Sequence, residues 1–312
     1  MTCVVIGYPG NEELAAALCR HLNAELVPIE SRQFPDGELY FRVSGVIAGR
    51  DVVVACSLDR PNEKALGLML LAPTLRELGA VRITLAAPYL AYMRQDRVFR
   101  RGEGVSALHF ASLLSTSFDA LVTVDPHLHR IHALPEIFTI ATRVIHAAPA
   151  VATWIGRNVL NPVVIGPDEE SEQWVRAIAA AADAPFQVLK KRRLGDRSVE
   201  VSLPNVDGLY GRTPVLVDDI ISTGQTMIAA VKQLRELSLP GPVCVAVHAI
   251  FAGHAYETLG AAGAVQIVTC NTVKHASNAI DLHALIAQAI VDLRDKSAPD
   301  AEHTGPTRWR RQ

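Results

Sequence analysis

Residues 215–226 read VLVDDIISTGQT. An apolar run is followed at once by two carboxylates, Asp218 and Asp219, and then by a small polar stretch that opens a helical pattern. Val215, Leu216 and Val217 are the residue types of a strand buried on both faces, as strands of parallel sheets are. The charges then fall where the carboxyl end of a strand meets a helix start, the place where ligands gather in open α/β sheets. Ser222, Thr223 and Thr226 offer hydroxyls, Gly224 lets backbone approach closely, and Gln225 sits at the helix start, whose free N–H groups and positive dipole end suit a phosphate. The carboxylates can accept hydrogen bonds from sugar hydroxyls or hold water bound to Mg2+. A sugar carrying a terminal phosphate satisfies both parts. The same residue types also make ordinary turns and caps, so the rest of the chain has to decide.

Around this stretch, β-rich runs alternate with helical ones. TCVVIGY (2–8) precedes a helix over 11–23, and DVVVACS (51–57) a helix over 62–79; VRITLAAP (81–88), a helix near 105–115 and ALVTVD (120–125) follow. The alternation restarts after residue 144 with a helix near 147–158, PVVIGPD (162–168), a helix over 169–182 and FQVLKK (186–191). TPVLVDD (213–219), a helix over 224–237, VCVAVHAIF (243–251) and a helix over 281–294 complete it. This pattern predicts an α/β fold of two similar domains, 1–145 and 146–296, each a mainly parallel sheet flanked by helices. The polar, Pro-containing residues 297–312 are expected to be a disordered tail.

A net charge of −2 over 312 residues gives no global field for nucleic acid or a membrane, so any anion site is local. The cysteines, Cys3, Cys19, Cys56, Cys244 and Cys270, are scattered without a C-x-x-C pair, which predicts reduced thiols. There is no basic leader with a cleavage site, and no apolar run near the roughly 18 residues of a bilayer span. A cytoplasmic protein is expected. His127, His129 and His132 hint at a metal, but no cysteine or close carboxylate set completes a zinc site. No G-x-x-x-x-G-K-[ST] occurs, so a nucleotide would not rest on a P-loop.

Three further stretches carry chemistry. FPDGELYFRV (34–43) reads as a turn entering a strand. In PYLAYMRQDRVF (88–99), Arg94 and Arg97 flank Gln95 and Asp96; such guanidinium forks suit triphosphate oxygens, or simply face water. FQVLKKRRLGDRSVEV (186–201) holds four consecutive cations, a solvated edge or a lid. Together with VLVDDIISTGQT these stretches resemble the ribose-phosphate diphosphokinases, the phosphoribosyl diphosphate synthetases of the phosphoribosyltransferase superfamily.

The resemblance implies that Ser222, Thr223, Gly224, Gln225 and Thr226 hold the 5-phosphate of ribose 5-phosphate while Asp218 and Asp219 hold its hydroxyls. Phe34, Asp36, Gly37 and Glu38 would bind adenine across a subunit interface, which requires self-association, and Arg94, Gln95, Asp96 and Arg97 would bind the rest of ATP. His127 and Asp168 are the implied ligands of Mg2+. Lys191 and Arg193 are the implied catalytic cations, on a flexible loop that closes over the phosphates. A nucleobase phosphoribosyltransferase would leave FPDGE and YMRQDR without a role. A non-catalytic, synthetase-associated subunit would not need Lys191, His127 and Asp168. The chain departs from the family at Ser222, where many members carry an acid, and at Glu169, Glu170, Ser171 and Glu172, where the bacterial type commonly has paired glycines. Residues 99–106, FRRGEGVS, resemble the archaeal type.

Overall fold

Runs such as CVVIG, DVVVA, ALVTV and PVVIG lack the polar alternation of a half-exposed strand, so they must be covered on both faces. The computed structural model describes residues 3–168, 171–193, 199–202 and 207–295, with the backbone alone for Gln173, Lys190–Arg193, Val199–Ser202 and Asp207. The first half runs β1 (Cys3–Gly7), α1 (Glu12–Leu22), β2 (Glu25–Leu26), β3 (Ile29–Gln33), β4 (Leu39–Val43), β5 (Asp51–Ala55), α2 (Pro61–Glu77), β6 (Arg82–Ala86), α3 (Ser106–Ser117), β7 (Ala120–Val124) and β8 (Ala141–Ile145). The second runs α4 (Ala148–Asn158), β9 (Pro162–Gly166), α5 (Glu172–Ala181), β10 (Phe186–Val188), β11 (Lys190–Arg193), β12 (Val199–Ser202) and β13 (Thr213–Ile221). It continues through α6 (Gln225–Glu236), β14 (Val243–Ala249), α7 (Ala255–Ala262), β15 (Gln266–Cys270), β16 (Asn278–Ile280) and α8 (His283–Asp295).

The strands form two six-stranded sheets, β2-β1-β5-β6-β7-β8 and β10-β9-β13-β14-β15-β16, with the same order and parallel pairing throughout. Each half adds one antiparallel hairpin, β3–β4 in the first and β11–β12 in the second. This is the α/β architecture that the alternating pattern predicts.

The two sheets share one apolar core. Val5, Val122, Val164 and Val217 point into it from the strands, and Leu18, Val151, Ile178 and Ile290 from α1, α4, α5 and α8. A second core, with Leu71 and Phe110, covers the outer face of the first sheet, and a third, with Val231 and Leu234, that of the second. The helix α8 packs on α1, β7 and β8, so residues assigned by sequence to the second half cover the first sheet. Its buried stripe, Ile286, Ala289, Ile290 and Leu293, finds its apolar partner there.

Two details depart from the sequence reading. The β13 strand runs on through Asp218 and Asp219 to Ile221, because its ladder with β14 continues past the charges, Asp218 opposite Ala246 and Ile220 opposite His248. Lys190 and Lys191 do not end β10; they open β11, after the buried Leu189. The expected tail from 297 lies outside the described residues. Among the described residues no helix is long and apolar enough to cross a membrane.

Gly67 in α2 faces Tyr8 and the hairpin's Phe41. A Cβ there would collide with the Tyr8 hydroxyl and lie 3.0 Å from the Phe41 ring. Tyr8 is only 5% exposed and has no room to yield. Gly67→Ala is therefore expected to destabilise the fold by about 1–3 kcal/mol, measured by urea denaturation. An unchanged midpoint would show that the ring can move aside.

Candidate active site

The carboxyl ends of the parallel strands place the polar residues. After β7 the chain turns at Asp125, which takes φ +30°. Its carboxylate accepts the Ala147 N–H (2.8 Å) and pairs with His146 Nδ1 (2.9 Å). Pro126 and His127 follow. At the end of β9, the Asp168 carbonyl accepts both the N–H and the hydroxyl of Ser171, the latter at 2.6 Å. Gly166 makes that turn possible, since a Cβ there would strike Ser171 Oγ. After β13, the loop 222–224 is held by Ala252 N–H on the Ser222 carbonyl (3.0 Å), and Gly224, at φ +70°, starts α6 with no side-chain cap. The first N–H groups of α6 are thus not taken by a capping side chain.

These turns enclose a cavity of about 730 Å³ between the two halves, with Arg94, His127, Asp168, Asp218, Asp219 and Thr226 among its lining residues. Across it, His127 Nδ1 from the first half lies 2.5 Å from Asp219 Oδ2 in the second. The acidic neighbours differ in consequence. Burial, then the charges of Asp219 and Asp168, push Asp218 well above the usual carboxylate range. Burial also works against ionised Asp219, but the hydrogen bond and charge of His127 outweigh it and hold this carboxyl below that range.

Six of the residues expected at the site therefore share one cavity. Ser222, Thr223, Gly224 and Gln225 form the turn and helix start just before Thr226 without lining the cavity themselves, and the others lie elsewhere in the chain. Phe34, Asp36, Gly37 and Glu38 form the exposed tip of the β3–β4 hairpin, closed by Phe34 N–H on the Glu38 carbonyl (2.8 Å) and Gly37 at φ +96°. This tip does not line the cavity of its own chain. The Arg32 guanidinium stands 4.7 Å from the Phe34 ring and 4.5 Å from that of Tyr40.

The segment 94–97 divides its work. Gln95 anchors the start of α3, its Oε1 accepting the Ser106 hydroxyl (2.9 Å). The Asp96 carboxylate, 1% exposed, accepts Arg130 N–H (3.0 Å) and Arg130 NH1 (3.1 Å), tying this segment to the loop that carries His127. Burial opposes that charge, but the Arg130 contacts hold it low. Arg97 packs 4.6 Å from the Phe99 ring. Lys191 and Arg193 lie on the β11–β12 ladder, opposite Val201 and Val199, where the resemblance implied a flexible loop; their side chains lie outside the described residues, as do Glu169 and Glu170.

The cavity also holds residues that the sequence reading left without a site role. His129 and His132 line it, His129 edge-on to His127 with centroids 4.3 Å apart. So do His146 and Trp174, whose buried indole N–H has no partner among the described residues. Spacing could have suggested the histidines; nothing in the sequence marks Trp174.

Residues 3–117 match the model for the N-terminal domain of ribose phosphate pyrophosphokinase, and 136–285 that for the phosphoribosyl transferase domain. A ribose-phosphate pyrophosphokinase of Methanobrevibacter smithii is 32% identical over 93% of this chain and 100% of its own length. The chain belongs to the ribose-phosphate pyrophosphokinase family. Another member, from Saccharolobus solfataricus, is 34% identical, covering 86% of this chain and 93% of its own. The crystal structure of a phosphoribosylpyrophosphate synthetase from Mycobacterium smegmatis superposes with a TM-score of 0.83 at 25% identity, over 95% of this chain and all of that one (100%).

The acidic pair makes stability depend on pH in two opposite ways. Asp218 keeps its proton to a higher pH folded than unfolded, so its contribution falls as pH rises from the ordinary carboxylate range through the raised value. The contribution of Asp219 is present above the ordinary value and is lost as pH falls through the lowered one. Asp218→Asn removes the first effect. In the ligand-free protein at pH 7 it is expected to raise stability by about 0.5–2 kcal/mol and to flatten the decline above pH 5. Urea denaturation across pH 4–8 checks this; an unchanged slope would assign the decline to another group.

Proposed function

We propose that the protein transfers the diphosphoryl group of Mg-ATP to the 1-hydroxyl of ribose 5-phosphate, giving 5-phosphoribosyl 1-diphosphate and AMP. The observation that carries this reading is the joint cavity, where the acidic pair and Thr226 of one half face Arg94 and His127 of the other. Asp218 and Asp219 hold the ribose hydroxyls, and residues 222–226 hold the 5-phosphate on the start of α6. Arg94 and Arg97 take the phosphate chain of ATP, while Gln95 and Asp96 set the segment that carries them. Lys191 and Arg193 neutralise charge as it builds and keep water from competing with the sugar hydroxyl. Alignment and electrostatics then supply most of the rate, as expected for phosphoryl chemistry.

The cavity suits a divalent cation. Asp168, Asp218 and Asp219 line it, and burial, then the charges of Asp219 and Asp168, hold the Asp218 carboxyl above its usual range. Among the described residues no three of His, Cys, Asp and Glu close into a preassembled cluster. An ion arriving on the triphosphate needs only one or two protein ligands, with phosphate and water completing its shell. His127 and Asp168 would hold it. Bound Mg2+ neutralises the triphosphate and polarises it toward attack.

Adenine lies between the hairpin tip of one copy and the cavity of another, so the working unit is at least a dimer. Two features support this. The tip at Phe34 to Glu38 does not line the cavity of its own chain, and α2 and α3 leave Leu66 (64%), Leu70 (46%), Leu108 (46%) and Leu113 (52%) exposed. The domain division at 145 and a cytoplasmic location belong to the same reading; all five cysteines are free thiols, as a reducing compartment requires.

Phosphorus NMR of the protein with Mg-ATP and ribose 5-phosphate is expected to show AMP and the diphosphate product only when the sugar is present. AMP release without sugar, or none at all, would overturn the assignment. Lys191→Ala is expected to lower turnover by roughly 10²-fold or more with ATP affinity nearly intact. Unchanged turnover would remove the β11–β12 hairpin from the chemistry.

A further inference from the structure

One histidine joins the two sheets beside the site without lining the cavity. His248 on β14 is 0% exposed, and the register sets it opposite Ile220, next to the acidic pair. Its Nε2 is 3.3 Å from the carbonyl oxygen of Asp125, which belongs to the first half. Its Nδ1 is 2.9 Å from Thr272 Oγ1, which also lies 2.7 Å from the Val247 carbonyl. Tyr89, from the first half, meets the ring edge-on with centroids 5.0 Å apart. The polar chain continues beyond Thr272: Ser57 Oγ donates to the Thr272 carbonyl (2.5 Å), and Ser57 N–H to Asn11 Oδ1 (2.8 Å). The ends of β5, β7, β14 and β15 are thus tied together.

The proton positions follow from elementary chemistry. Burial lowers the pKa of His248 and keeps the ring neutral, so it has one N–H. A carbonyl can only accept, so the Asp125 oxygen claims the Nε2–H, and the single Thr272 hydroxyl proton lies between two acceptors, the Val247 carbonyl (2.7 Å) and Nδ1 (2.9 Å). Asp125 itself stands at φ +30°, a conformation that a non-glycine residue keeps only where its surroundings over-determine it. Its amide goes to the Ile145 carbonyl and its carboxylate to Ala147 and His146, which leaves the carbonyl for His248. His127 lies two residues further on.

We propose that His248 is a positioning residue for diphosphoryl transfer: through the Asp125 carbonyl it holds the turn that presents His127 to Asp219, keeping the nucleotide side of one sheet in register with the sugar side of the other. The proposal rests on the function given above and extends it to a residue that touches no substrate. A histidine that merely filled the junction would affect stability alone.

Three variants separate these outcomes, with wild-type turnover measured first; an inactive wild type overturns the function and this proposal together. His248→Asn is too short to reach Asp125, whereas His248→Gln keeps an N–H near the position of Nε2. For Asn, kcat is expected to fall about 10- to 100-fold, as for a displaced catalytic group, while KM for ribose 5-phosphate stays within about twofold because the loop 222–226 hangs on β13. Gln should recover most of that loss. Thr272→Val, which frees the ring to rotate, should lower kcat by a smaller factor, and it decides the matter if the Asn variant does not fold. Full turnover in a folded Asn variant, equal impairment of Asn and Gln, a KM for the sugar that rises in step, or wild-type kcat in Thr272→Val when Asn is unfolded would each defeat the assignment.

Discussion

Two adjacent carboxylates on a largely buried strand are the constraint to which the rest of the molecule answers. Like charges in a poorly solvated place repel each other, and each also loses hydration. The fold relieves one of them with an imidazole from the opposite sheet, 2.5 Å away at His127, and leaves the other holding its proton unusually tightly. That residual imbalance suits the place to a hydroxyl-rich, cation-bearing ligand. It also explains why the site spans two sheets: neither sheet alone supplies both the acids and their counter-group.

The repeated strand order brings two sets of loops into equivalent relation. The turns after β9 and β13, with the β7–β8 connection, surround the acidic cavity. The turns after β1 and β5, with the β15–β16 connection, surround a second one of about 680 Å³. At matching places α6 starts from Gly224 and α2 from Arg60, both in the left-handed region at φ +70° and +50°. The acids have no counterpart, since Cys56 and Ser57 stand just after β5 at the places where β13 carries its carboxylates. Backbone geometry is shared by the two cavities; the chemistry belongs to one.

Between the cavities runs a buried polar chain from Asn11 through Ser57, Thr272 and His248 to Asp125. Such a chain stabilises little in net terms when every member is satisfied, but each unmet bond would carry a desolvation cost. It restricts the two halves to one alignment more than it holds them together. The shared apolar core beneath, into which α8 of the second half inserts, supplies the adhesion.

The sheets were legible from residue types alone, because a β-branched run without polar alternation can only be covered on both faces, and helical stripes of matching length lay between the runs. The acidic pair, the hydroxyl loop and Gly224 were legible for a related reason: they are contiguous, and local chemistry dictates their turn. His127 and Asp168 were legible only through resemblance, since no local pattern joins them. What the sequence could not express is which distant side chains meet. That His127 pairs with Asp219, that Asp96 is occupied by Arg130, that β13 runs past its charges, and that α8 covers the first sheet all depend on how two sheets dock. Residue identity determines local backbone preference and what must be buried; only packing in three dimensions decides which charge neutralises which, because that energy depends on separations that the order of residues does not contain.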